Sequence, residues 1–143
     1  MATKNTSLYE KQTGLAAGKV NPNALGGRVR LIHGEFAGAS GAAAGDVHNL
    51  CVVPAGARVL PISQLHFQAG QGATMTVKVG DKDDDDRYYA ATAPGANATS
   101  VTLAANALGD KVYSEETTII LTVGTAALTA NKKIVFDIYY VTD

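Results

Sequence analysis

Apolar residues in the second half of this chain fall at every other position. In "ATMTVKVGD" Met75, Val77 and Val79 point one way, and Thr74, Thr76 and Lys78 point the other. "TTIILTVG" places Ile119, Leu121 and Val123 on one face, and "SVTLAAN" offers Val101, Leu103 and Ala105. "KIVFDIYYVTD" sets Ile134, Phe136, Ile138 and Tyr140 against Val135, Asp137, Tyr139 and Val141, a strand expected to be covered on both sides. Side chains two apart share a face only in extended chain, so each run is a strand with an apolar face to bury. No long amphipathic helix is visible, although "AANALGD" is long enough for one helical turn. A parallel pair needs a crossover of a dozen or more residues, usually helical, so the strands must be antiparallel. The spacing predicts seven or eight of them at intervals of roughly 8 to 15 residues, joined by Gly, Ala, Asn and Asp turns. The fold class is therefore all-β, an antiparallel β-sandwich or barrel.

The first half is less regular. "RVRLIHGEF" (Arg28 to Phe36) does not alternate cleanly, and a bulge or twist near Gly34 would reconcile its two faces. Pro54 to Ala57 reads as a turn at a strand pair or a strand-to-strand corner. Pro61 marks an edge, a strand start or a bulge, since it has no N–H to donate. Residues 1–26 show no sustained period; "LAAGKVNPNALGG" mixes Gly, Pro and Asn with isolated hydrophobes. They read as an extended N-terminal arm, ordered only against another surface, with Leu8, Tyr9, Leu15, Val20 and Leu25 as its anchoring side chains. Residues 27–143 form the sandwich domain.

The 143 residues suit one domain. With 15 Gly, no Trp and three Phe, the core is light, and burial between subunits is expected to supplement it. The formal net charge of −1 gives no global attraction to nucleic acid or to an acidic membrane, and no apolar run approaches membrane-helix length. The N-terminus lacks the apolar core of a signal peptide, so synthesis in a cytoplasm is expected. The single cysteine, Cys51, reads as a small buried hydrophobe; strand spacing puts His48, three residues away, on the opposite face.

Chemistry is sparse. "VGDKDDDDRYYAAT" gathers five aspartates within six residues. Measured against a calcium-binding EF-hand loop from Asp81, the sixth position is Asp86 instead of Gly and the twelfth is Thr92 instead of Glu. The EF-hand reading fails, which leaves a looser Ca²⁺ site or a solvated turn whose charge ends a strand and discourages edge pairing. His33, His48 and His66 form no local metal-binding pair; they read as structural or interface residues, and could meet on a three-fold axis. No nucleophile elbow, phosphate loop or paired-cysteine motif occurs. No catalytic, cofactor-binding or metal-ligating residue is assigned, and the chain reads as no enzyme.

The segment order, with "GRVRLIHGEF", "AGDVHNLCVVPAGARVLPISQLHF", "DRYYAAT" and the C-terminal strands, resembles the small virion structural proteins of tailed bacteriophages, particularly capsid decoration or cement proteins. The resemblance covers about Arg28 to Asp143. It implies a jelly-roll-like fold and a non-enzymatic subunit on the capsid exterior. It also implies a homo-oligomer, commonly a trimer, that stabilises the head by bridging neighbouring major capsid protein subunits, with no nucleic-acid or membrane partner and no cofactor. Under it, Tyr88 and Tyr89 suit a capsid or subunit contact, as rigid amphipathic side chains. The alternative is a head-fibre or tail accessory, or a carbohydrate- or Ca²⁺-binding sandwich module.

Overall fold

Most strands form where an apolar residue recurs at every second position, and most end where Gly, Pro or clustered charge breaks that period. In the computed structural model, which describes residues 28–37, 43–72, 74–92, 97–103 and 111–142, the order is β1 (Arg30–Ala37), β2 (Val47–Val53), β3 (Ala57–Val59), β4 (Gln64–Phe67), β5 (Val77–Asp81), β6 (Asp84–Thr92), β7 (Thr99–Thr102), β8 (Thr117–Val123) and β9 (Lys133–Thr142). No helix occurs among the described residues. The helical turn considered at "AANALGD" and the whole N-terminal arm lie outside them.

Two antiparallel sheets face each other, one ordered β1–β9–β4–β7 with β3 also on β9, the other β2–β8–β5–β6. The strands β3 and β4 lie along the same edge of β9, at Tyr140–Thr142 and Ile134–Asp137. They are one strand interrupted at Pro61. Counted so, the pairing is first with last (β1–β9), second with penultimate (β2–β8), then β4–β7, then β5–β6 at the centre. One long antiparallel ribbon has been rolled up about the β5–β6 hairpin, which is the jelly-roll arrangement.

The interruption is repaired locally. Pro61 cannot donate to the ladder, and Tyr139 of β9 would lose partners there. Ser63, fully buried, supplies them: its Oγ accepts from Tyr139 N–H at 2.9 Å and donates to Tyr139 C=O at 3.2 Å. Leu60 N–H donates to the same carbonyl at 2.7 Å.

The core holds the residues that the period singled out. Met75, Val77, Val79, Ile119, Leu121, Ile134 and Ile138 are all fully buried between the sheets. The turn at Pro54–Gly56 is a corner carrying the chain from one sheet to the other, with Gly56 at φ 79°. The bulge expected near Gly34 is not there: β1 pairs with β9 in unbroken register from Arg30↔Tyr140 to Ala37↔Lys133. Gly34 serves a different purpose. It stands opposite Phe136, and a Cβ at Gly34 would fall 2.3 Å from the Phe136 ring. The uneven alternation has another cause, an apolar side chain on the outer face: Leu31 is 51% exposed.

Candidate functional site

The acidic stretch forms the tip of the central hairpin, and it is not a plain solvated turn. Asp81 is 1% exposed. Its Oδ1 accepts from Asp83 N–H at 3.0 Å and Asp84 N–H at 3.1 Å, closing the turn. Its Oδ2 accepts from Arg87 Nε at 2.6 Å and from the Tyr113 hydroxyl at 2.8 Å. With the Tyr113 proton committed to Asp81, the Tyr88 hydroxyl donates in turn to Tyr113. Burial pushes the Asp81 carboxyl up. The hydrogen bonds from Arg87, Tyr113 and the Asp83 amide, with the Arg87 charge, outweigh that and hold it below the usual carboxylate range. Burial also pushes the Tyr88 phenol up to about 12 and raises that of Tyr113.

The other carboxylates are spread apart by the strand itself. Between the pairs Val79↔Tyr89 and Asp81↔Asp84 the register jumps, so β6 bulges over Gly80. A Cβ there would sit 2.0 Å from the Asp84 carbonyl oxygen. Asp84 lies 3.7 Å from Arg87, Asp85 3.3 Å from Lys78, and Lys82 3.2 Å from Glu115. Asp84 and Asp85 thus turn toward different cations. Among the described residues, no group of three His, Cys, Asp or Glu is placed to hold a metal ion, and no pocket opens.

Tyr88 and Tyr89, implied as contact residues, are 1% and 8% exposed. The β6 bulge breaks the alternation, so both neighbouring rings enter the core. A second bulge, between Asn49 and Cys51 of β2, revises another expectation. His48 pairs with Leu121 and Cys51 with Ile119, so both face inward and not oppositely. Burial raises the Cys51 thiol to about 11, far from a reactive thiolate at neutral pH. Leu8, Tyr9, Leu15, Val20 and Leu25 lie outside the described residues.

The outward face of the β1–β9–β4–β7 sheet carries two unlike halves. One is polar and internally satisfied. His33 Nδ1 is 2.6 Å from Asp137 Oδ1, His66 Nε2 is 3.2 Å from Asp137 Oδ2, and His66 Nδ1 is 2.8 Å from Ser100 Oγ. This chain of contacts crosses all four strands, and a Lys133–Glu35 pair at 2.9 Å borders it. The hydrogen bond from His33 holds the Asp137 carboxyl below its ordinary range, against partial burial and with help from His66. His48 takes no part, so the three histidines do not converge within the chain. Asp137 was the missed member; its signal was a lone charge within an otherwise apolar strand.

The other half is apolar. Leu31 of β1 stands opposite Tyr139 of β9, and Arg58 of β3 stands between Val141 of β9 and Val112. Segment 111–113 extends the sheet past β3, held by Tyr113 N–H to Ala57 C=O at 2.9 Å and Gly56 N–H to Tyr113 C=O at 2.7 Å.

No protein-family model matches the chain, and no curated protein matches it in sequence. Solved structures do. A chain of the cyanophage Pam1 capsid asymmetric unit matches with TM-score 0.64 and 23% identity, over 100% of both chains. One of the capsid of Ralstonia phage GP4 matches with TM-score 0.67 and 19% identity, over 94% of this chain and 96% of that one. One of the acidic stable capsid structure of Helicobacter pylori bacteriophage KHP30 matches with TM-score 0.56 and 20% identity, over 79% and 86%. Each is a chain of a phage capsid structure, and this chain shares their fold.

Proposed function

We propose that this chain is a non-enzymatic virion structural protein that decorates the outside of a phage capsid and stabilises it by bridging neighbouring major capsid protein subunits, as a trimer. The observation that carries this reading is the end-to-end match, 100% of each chain, with a chain of a phage capsid asymmetric unit. The polar groups at the hairpin tip and on the outer sheet face bond within their own clusters.

The arm, residues 1–26, is assigned to the shell: Leu8, Tyr9, Leu15, Val20 and Leu25 anchor it along capsid subunits. The small-residue core then gains from subunit and shell contacts what it lacks in bulk. Two measurements test the reading. Light scattering on the purified protein should give three times the 14.7 kDa chain mass. The protein should also co-sediment with shells of its own phage that lack it. A monomer that ignores such shells would remove the proposal.

A further inference from the structure

Six large hydrophobic residues are exposed among the described residues, and four of them, Val29, Leu31, Ile62 and Val112, belong to one end of one sheet. Single exposed hydrophobes need no explanation; a contiguous cluster does. The strand registers bring Leu31, Tyr139, Val141, Arg58 and Val112 side by side. Leu31 neighbours Tyr139 across β1–β9, and Val29 is two residues back on the same side. Ile62 projects from the Pro61 interruption next to buried Ser63, which is bonded to Tyr139. Arg58 lies between Val141 and Val112 and so occupies the middle of the patch.

Lys78, Lys82, Arg87 and Lys133 each face a carboxylate. Arg58 has none among the described residues, and its Nε is buried without a hydrogen-bond partner. Arg28 and Arg30 alternate with Val29 and Leu31, and the Arg30↔Tyr140 pairing puts them on the other side of β1. Desolvated arginine ringed by apolar side chains is the composition of an interface centre, and a buried donor regains its lost hydrogen bond when a partner supplies an acceptor. The opposite half of the same face has its polar groups already paired and offers no such incentive.

We infer that the Arg58-centred apolar end of the β1–β9–β3 sheet is the surface that docks on the capsid, and that its partner is an apolar protein surface bearing carboxylates. This rests on the reading of the chain as a virion protein and names the face it uses. Two observations favour the shell as occupant. Arg58, without a carboxylate of its own, calls for an acidic side chain opposite it. Residues 1–27 also join the sandwich at this margin, at Arg28, so an arm laid on the shell and this patch would form one continuous footprint.

The test uses the full-length protein and shells of its own phage that lack it, with co-sedimentation as the readout. Arg58→Glu and Ile62→Asp, made separately at exposed or half-buried positions, should each weaken binding by ~10-fold or more. Lys133→Glu, in the polar half, should bind as the unaltered protein does. Arg58→Gln should flatten the salt dependence of binding, because one ion pair is gone. Melting temperature and solution mass should stay unchanged in all four. If the unaltered protein binds and Arg58→Glu and Ile62→Asp bind equally well, the docking face is wrong while the virion reading stands. Loss of oligomeric mass in those two variants would make the patch a contact between copies and overturn the inference as well. If the unaltered protein ignores the shells, both readings fall together.

Discussion

Asp81 is the residue on which the hairpin tip depends. Its carboxylate is 1% exposed and accepts four hydrogen bonds. Asp81→Asn leaves Arg87 with only the longer contact to Asp84 at 3.7 Å, and removing one partner of a buried pair costs about 3–5 kcal/mol. The pH dependence has a definite sign. The folded carboxyl lies below the ordinary value of about 3.9. Its contribution is complete at neutral pH and disappears as pH falls through the folded value. Thermal melts of the two proteins should therefore differ most at pH 7 and converge below about pH 4. A gap that stayed constant into acid would mean that the charge at Asp81 does not matter. Only part of this was legible. A run of aspartates after Val79 does end a strand, as the composition implies. Which of the five turns inward is decided by Tyr113, 32 residues further along, and no local pattern carries that. For the same reason the buried positions of Tyr88 and Tyr89 were not legible, since the β6 bulge that turns both rings inward breaks the period on which the reading relied.

At the scale of elements, period-2 alternation located β5, β8 and β9, and their apolar faces are the ones buried. It does so because burial of one face per strand is the dominant local constraint. Alternation says less about strands with special backbone. Gly34 signalled a bulge but serves as a seat for Phe136; a glycine that frees the backbone and one that makes room for a ring look alike in sequence. The break at Pro61 was readable, while its repair was not. Ser63 bonds to both backbone groups of Tyr139, 76 residues away. Ser63→Ala would leave a buried N–H short of its partner, at a cost of about 1–3 kcal/mol. Amide hydrogen exchange should show faster exchange at Tyr139, with the β5–β6 hairpin unaffected. Unchanged protection at Tyr139 would mean that the Ser63 bonds contribute little.

For the whole molecule, the jelly roll closes first strand on last, so the described residues form a sandwich whose pairings do not call on residues 1–26. Deleting that arm should shift the melting temperature by only a few degrees while weakening shell binding; full affinity in the truncated protein would show that the arm makes no contact. Sequence pattern reached the fold class because several strands, β5, β8 and β9 among them, announce their own face, yet strand order is a property of long-range pairing that periodicity does not encode. The docking face was hidden for a similar reason: Leu31, Arg58, Ile62 and Val112 become neighbours only when β1, β9 and β3 pair. The central claim concerns where this chain sits in a particle, and a cryo-electron-microscopy reconstruction of the phage that encodes it tests that most directly. The account predicts a jelly-roll sandwich on the outer surface of the shell, in three copies around a symmetry position, each touching more than one capsid subunit. A shell whose outer surface carries no such density would contradict it.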